Sequence, residues 1–281
     1  MQNKFNYPDY VERSVLGSNT YPENPDWDYS PTTLNRTPQQ IVLGRQHSEI
    51  EEEDLDDKWA RFFGTVSHEA FAKYQRPTDI VEKRFYKTLE GYVISGQIDL
   101  YQPDKKKLID LKTGSIWSVI SALENGKEDW NLQLNTLAWL LPYEVETMEI
   151  FQINKDWRIG EAVNKEKKGE FYPNKGTVVR VPFYKEGEIE KIMLTKIKDV
   201  EAEVTRPCTP EERWYRGEKF AVTKKGNKKA TNLYDFKDDA DKRVEQLGSA
   251  YSVIRRPGVF GKCLNYCSVR SVCPQFLGEQ T

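Results

Sequence analysis

The spacing of apolar positions changes several times along the chain, and each change predicts an element. From Lys58 to Tyr74, residues Trp59, Phe62, Phe63, Val66, Ala70 and Phe71 recur at helical spacing, and Pro77 marks a stop. An acidic run from Glu49 to Asp57 leads into this helix, and a helical pattern already begins at Thr37. Three strand patterns follow. Residues 80–87 mix β-branched, aromatic and charged side chains, 91–101 alternate, and 107–112 are apolar around a single acid. Residues 130–141 are apolar over a helix length ended by Pro142, and 147–154 return to alternation. Helix, three strands, helix, strand predicts an α/β chain: a central mixed sheet flanked by helices.

Outside this core the patterns weaken. Residues 1–40 carry Pro8, Pro22, Pro25, Pro31 and Pro38 among polar residues and read as a mostly irregular arm. Residues 41–205 read as the core domain. Within it, the lysine- and glycine-rich stretch 155–180 is expected to be a loop or hairpin, and 186–204 an amphipathic helix. Residues 206–281 form a C-terminal module: a basic hairpin about Gly226, a charged helix from about Asp238, then a group of cysteines. No internal repeat is present.

Hydrophobic residues make up 38% and charged residues 31% of the 281, a balance that excludes a disordered chain. The first ten residues lack the apolar core of a signal peptide, and nothing approaches the roughly 18 apolar residues of a membrane span. The chain therefore reads as intracellular and cytoplasmic, with no membrane partner. A net charge of −2 does not advertise nucleic acid, but a basic groove beside an acidic site cancels in the sum. Two histidines, His47 and His68, are too few for a histidine-rich zinc enzyme. There is no phosphate-cradling G-x-x-x-x-G-K-[ST] loop, so any ATP-driven unwinding belongs to a partner.

The sharpest constellation is GQIDL, Gly96 to Leu100, followed by LIDLKTG, Leu108 to Gly114. Two carboxylates on neighbouring strands, Asp99 and Asp110, suffice with a backbone carbonyl to hold one hard divalent cation. Lys112, two residues after Asp110, emerges on the same face of a strand and suits a nucleophilic water or a charged transition state. D-x-K alone says little: it begins also at Asp56, Asp104 and Asp235, all in polar runs. Only Asp110 is flanked by apolar residues, where an unpaired carboxylate is costly. A plain ion pair of Asp110 with Lys112 is the bland alternative.

From Gly64 to Leu141 the chain resembles the RecB-like branch of the PD-(D/E)xK nucleases, which includes the CRISPR adaptation exonucleases and has phage members. Four motifs stand in the family's order: GTVSHE (Gly64 to Glu69), GQID ending at Asp99, DLK (Asp110 to Lys112), and Gln133 within WNLQLNTLAWLL. The resemblance implies a restriction-endonuclease-like core. It also implies that His68, Asp99, Asp110 and the carbonyl of Leu111 hold Mg²⁺ or Mn²⁺, that Lys112 serves the attacking water, and that Gln133 positions the site. The family's tyrosine four residues after the glutamine is here Leu137.

Cys263, Cys267 and Cys273 form C-x3-C-x5-C, and Cys208 lies 55 residues before Cys263. In an intracellular chain, four thiolates suit zinc or an iron–sulfur cluster rather than disulfides. Some RecB-like nucleases hold a [4Fe–4S] cluster by a C-terminal cysteine triplet and one distant cysteine. The resemblance places that cluster ahead of zinc, although here Cys208 follows the core. Trp214, Tyr215, Phe220 and Tyr234 interleave with lysines and arginines up to the hairpin tip, a composition suited to phosphates and unpaired bases. The leading expectation is a Mg²⁺- or Mn²⁺-dependent DNA exonuclease acting on ends or single strands in recombination, repair or viral replication, with a helicase or recombination protein as partner. A second reading keeps the fold as a silent DNA-binding or assembly subunit with a structural metal.

Overall fold

A computed structural model describes residues 3–18, 26–47, 54–203 and 205–279. They fall into two compact units, Met1–Arg36 with Ile50–Glu201, and Thr37–Glu49 with Ala202–Thr281. Residues 49–53 of the acidic run, and Pro22 and Pro25, lie outside the described residues.

The first unit is built on a five-stranded sheet in chain order: β1 (Ile80–Leu89), β2 (Tyr92–Gln102), β3 (Lys107–Gly114), β4 (Thr147–Asn154) and β5 (Gly176–Val181). Pairing is antiparallel except between β3 and β4, which run parallel from Lys107↔Thr147 to Gly114↔Asn154. A parallel pair needs a crossover, and two helices supply it: α5 (Ile116–Asn125) and α6 (Glu128–Leu140). The sequence pattern showed α6 but gave no sign of α5. The remaining helices of this unit are α1 (Asp9–Gly17), α2 (Pro31–Leu34), α4 (Trp59–Lys73), α7 (Ile159–Lys167) and α8 (Glu188–Glu201). This is the mixed central sheet flanked by helices that the sequence predicts.

The core lies between sheet and helices. Ile94, Ile98, Leu108, Met148 and Ile150 of the sheet are fully buried, as are Leu134 of α6 and Met193 and Ile197 of α8. Helix α6 approaches β2 so closely that a Cβ at Gly96 would stand 2.6 Å from Leu137 Cδ2 and 2.8 Å from Leu140 Cδ1. The glycine of G-Q-I-D is thus a packing requirement, and Leu137 fills the space it leaves.

Two expectations are corrected. The described residues of 1–40 are not an irregular arm. They carry α1 and α2, Tyr29 forms a parallel bridge with Ile94, and Tyr29 and Leu34 are buried in the core. Proline-rich polar sequence hid this because the order comes from docking on the sheet rather than from local periodicity. The 155–180 stretch is not merely a connection either: it holds α7 and most of the edge strand β5. The expected helix over 186–204 is α8.

The second unit contains α3 (Pro38–Gln46), β6 (Tyr215–Arg216), β7 (Lys219–Lys224), β8 (Asn232–Tyr234), α9 (Lys237–Leu247), β9 (Tyr251–Arg256), β10 (Val259–Phe260), α10 (Gly261–Asn265) and α11 (Pro274–Gly278). Thr37 opens α3 with a reciprocal capping box to Gln40. Strands β8, β7 and β9 form an antiparallel sheet covered by α9, with Phe220, Val222 and Ala240 at the centre. Phe220 is therefore a core residue and not a surface for stacking bases. Among the described residues, no helix is long and apolar enough to cross a membrane.

Candidate functional site

The site of the first unit forms where two strands part. The β2–β3 ladder runs Gln102↔Lys107, Tyr101↔Leu108, Leu100↔Ile109 and stops. Asp99 and Asp110 are next in that register, so both acids stand at the fork. Asp99 Oδ2 partly closes the gap by accepting the Leu111 N–H at 2.6 Å. Its alternation with Gly96 turns Asp99 away from α6 and toward α4, where His68 Nδ1 lies 3.3 Å from Asp99 Oδ1. The other ring nitrogen, Nε2, is 3.1 Å from the Leu111 carbonyl.

Asp110 and Lys112 are tied to α6. Gln133 Nε2 donates to Asp110 Oδ1 at 2.8 Å, and Lys112 Nζ donates to Gln133 Oε1 at 2.9 Å. Asp110 is 2% exposed, and its Oδ2 accepts no directed hydrogen bond although Lys112 Nζ lies 2.9 Å away. The ammonium neutralises that oxygen's charge without pointing a proton at it. Burial pushes the Asp110 carboxyl above its ordinary range, with Lys112 opposing and Asp99 reinforcing the shift. Burial alone would lower Lys112, but the Asp110 carboxylate raises it, so the lysine stays charged. Burial likewise opposes the charge of His68, while Asp99 and Glu82 carry its pKa up to about 10.

Glu82 of β1 is the residue that the sequence reading missed. Its Oε1 lies 3.3 Å from His68 Nδ1, and Oε2 accepts from Gln97 Nε2 at 2.7 Å. Among the described residues, His68, Glu82 and Asp99 are the group of three whose ligand atoms all lie within 4.8 Å of one another. In the sequence Glu82 is an ordinary acid on a strand. The only available signal was its alternation with Arg84 along the strand.

The other three D-x-K acids are engaged elsewhere. Asp56 accepts from the Tyr7 hydroxyl at 2.7 Å, Asp104 pairs with Arg76 at 2.7 Å, and Asp235 pairs with Lys219. Glu69, beside His68, is exposed.

Asp99, the main-chain carbonyl of Leu111 and one imidazole form an oxygen-rich set with a single nitrogen, while Asp110, whose buried Oδ2 accepts no hydrogen bond, does not join His68 and Asp99 in a close group of three ligands. That composition fits a hard divalent cation such as Mg²⁺ or Mn²⁺.

The second unit gathers all four cysteines around one small hollow of about 20 Å³, partly open to solvent. No three of their sulfurs lie within 4.8 Å of one another. Three of the thiols have polar neighbours, while Cys273 packs with Leu43 and Val269. Cys208 Sγ lies 3.3 Å from Thr37 Oγ1 and 3.2 Å from Gln39 Oε1, Gln40 Nε2 is 3.5 Å from Cys267 Sγ, and Arg213 Nε donates to Cys263 Sγ at 3.3 Å. Burial raises the Cys208 thiol. Gln275 clamps the backbone of Cys208, accepting from its N–H at 2.8 Å and donating to its carbonyl at 3.0 Å. Arg213 is almost fully buried, stacked 3.4 Å from the Phe260 ring centroid and paired with Glu279.

The hairpin of β7 and β8 presents Lys224, Lys225, Lys228 and Lys229, all exposed, around Gly226 at φ +87°. Trp214 and Tyr215 are 45% and 48% exposed.

No protein-family model matches the chain, and no curated protein does. Among solved structures it is similar to the crystal structure of SSO0001, at 15% identity over 73% of this chain and 89% of that one, with a TM-score of 0.49. It is also similar to a phage-related exonuclease from Haemophilus somnus 129PT, at 14% identity over 69% and 77% with a TM-score of 0.29. An alkaline exonuclease from Laribacter hongkongensis is similar at 17% identity over 60% and 90%, with a TM-score of 0.34.

Proposed function

We propose that this chain is a divalent-metal-dependent deoxyribonuclease of the PD-(D/E)xK kind, acting as an exonuclease on DNA ends or single strands. The observation that carries the reading is the fork between β2 and β3. There, His68 meets Asp99 and the Leu111 carbonyl, and Gln133 locks Lys112 beside the neighbouring Asp110. His68, Asp99, Asp110 and the Leu111 carbonyl would hold Mg²⁺ or Mn²⁺, which when bound polarises a phosphate oxygen and makes water a better nucleophile.

The remaining chemistry belongs to the chain. Lys112 has three N–H donors; one is taken by Gln133 and none is directed at Asp110 Oδ2, which leaves two for the attacking water or the phosphate. Burial strengthens that contact, because a fixed charge in a low-dielectric site acts more strongly than one in water. Gln133 uses both ends of its amide to keep the acid and the lysine in one geometry, and so is a positioning residue.

DNA binding is assigned to the exposed lysines of the β7–β8 hairpin, with Trp214 and Tyr215 as stacking surfaces. Lys224, Lys225, Lys228 and Lys229 changed together to Glu are expected to weaken DNA binding while leaving metal content unchanged. Strand separation of a duplex substrate is assigned to a helicase or recombination partner.

Cys208, Cys263, Cys267 and Cys273 are assigned to an iron–sulfur cluster, of [4Fe–4S] type. Four thiolates on one zinc at 2.3 Å would place the sulfurs about 3.8 Å apart, closer than any three stand here. The cluster reading rests on the resemblance, in which a C-terminal cysteine triplet meets one distant cysteine. Anaerobically purified protein is expected to be brown; colourless protein with one zinc per chain would overturn this assignment.

The test of the activity is end-labelled DNA, single- and double-stranded, linear and circular, incubated with Mg²⁺ or Mn²⁺. Cleavage of linear DNA that is lost in Asp110→Ala supports the proposal. Full activity in that variant, or none in the native chain with either metal, would overturn it.

A further inference from the structure

Glu82 stands in a conformation that its own sequence does not favour. Its φ of +47° lies in the left-handed region, sparsely populated by residues with a side chain, and it falls within a strand. The pairing of β1 with β2 passes from Val81↔Leu100 to Lys83↔Ile98, leaving Glu82 out of the ladder and opposite Asp99. The turned backbone delivers a carboxylate to His68. Oε1 lies 3.3 Å from Nδ1, while Gln97 Nε2 holds Oε2 at 2.7 Å and Arg84 in turn donates to Gln97 Oε1 at 3.3 Å.

Asp99 Oδ1 lies at the same distance, 3.3 Å, from that ring nitrogen. The two carboxylates therefore compete for one N–H. Asp99 already accepts the Leu111 N–H through Oδ2, so an Oδ1 spent on the ring would leave it little to offer a cation. Glu82 meets no such conflict. A histidine that binds metal through one nitrogen commonly donates its other N–H to a carboxylate, which fixes both tautomer and ring angle.

We propose that Glu82 is the positioning residue of the cation site, an inference that rests on the nuclease reading above. It accepts the Nδ1 proton of His68, fixes the ring with Nε2 beside the Leu111 carbonyl, and releases Asp99 to act as a ligand. The strained backbone at Glu82 is retained because an unstrained strand residue would not reach the ring.

The test is a calorimetric Mn²⁺ titration of the full chain and its variants, with thermal melting and pulsed EPR of the bound Mn²⁺. Glu82→Gly removes the carboxylate and suits the positive φ, so it is expected to melt no lower than the native chain. Its Mn²⁺ affinity is expected to fall roughly 10–100-fold, with a weakened imidazole nitrogen coupling. Glu82→Gln keeps an acceptor oxygen and is expected to retain most of the affinity and the coupling. Native affinity in Glu82→Gly overturns the inference. So does a Glu82→Gln as impaired as Glu82→Gly, because the carboxylate would then be acting as a ligand or a bare charge. His68→Ala is the control for the underlying reading: if it binds Mn²⁺ as tightly as the native chain, the cation site itself fails, whatever Glu82 does.

Discussion

In the first unit, Asp99 and Asp110 sit on adjacent strands, and the ladder that ends at Leu100↔Ile109 determines where they stand. In the second, Cys263 lies in a five-residue helix, Cys273 caps another, and Cys208 and Cys267 lie in irregular backbone. The acidic site is thus held by a sheet whose hydrogen bonds exist without any ligand, and its charges are already answered by Lys112, Gln133 and His68. The thiols are held by side chains that reach across long stretches of sequence: Gln275 to Cys208, Gln40 to Cys267, Arg213 to Cys263. Register provides one site in advance. The other has so little regular structure that a bound group should contribute much of its stability.

The largest expected effect would come from removing that group. Chelation, or Cys263→Ser with Cys267→Ser, should abolish the visible absorbance and unfold the loops around the hollow. The β8–β7–β9 sheet, with its own core at Phe220 and Ala240, should persist. Hydrogen exchange separates the two. Uniform loss of protection across residues 205–279 would mean that the thiols hold more than their own loops.

Next comes the acidic site. Asp110→Ala and Lys112→Ala should each lower cleavage on the order of 10²–10³-fold or more, measured as kcat on end-labelled DNA. Lys112→Ala should also cost about 3–5 kcal/mol of stability, because it strands a buried carboxylate. The sign with pH follows. Burial raises the Asp110 carboxyl in the folded chain, and without Lys112 it rises further. The unfolded chain gives up this proton first, so stability should fall as pH rises from about 4 toward neutrality. Asp110→Asn on the Lys112→Ala background should flatten that slope in urea melts.

A smaller effect tests the packing beneath the acids. Gly96→Ala puts a methyl 2.6 Å from Leu137 and should cost about 1–3 kcal/mol, read as a lower urea midpoint. Leu137→Ala on that background should recover part of the loss. If the two costs simply add, helix α6 does not rest on Gly96.

The smallest change expected is at the hairpin. Lys228→Ala should lower the slope of log affinity against log salt by about 0.7 for single-stranded DNA, with little change in stability. An unchanged slope would move the phosphate contact away from this lysine.

Much of this was legible in the sequence. The strand over 147–154, the helix ended before Pro142 and the paired acids all followed from period and composition, because each element has a buried face that enforces its own spacing. Leu137, where the nuclease family often has a tyrosine, is 2% exposed and packs against β2, which only the approach of α6 could explain. Phe220 read as a base-stacking aromatic because composition does not say which face of a hairpin a helix will cover. The order in residues 3–18 and 26–36 leaves no periodic pattern for a related reason. Tyr29 is held by Ile94, a partner 65 residues away, and not by its neighbours.

The sequence by itself determined the order of elements and the chemistry available at Asp99, Asp110 and Lys112, since periodicity and residue type are local properties. The tertiary structure alone decided that Glu82 joins His68, that Gln133 bridges acid and lysine, and that Thr37 to Gln40 belong with the cysteines. Those are meetings of residues far apart in the chain. They depend on strand register, on one backbone turned to positive φ and on the packing distance of a helix, none of which leaves a periodic trace in the sequence.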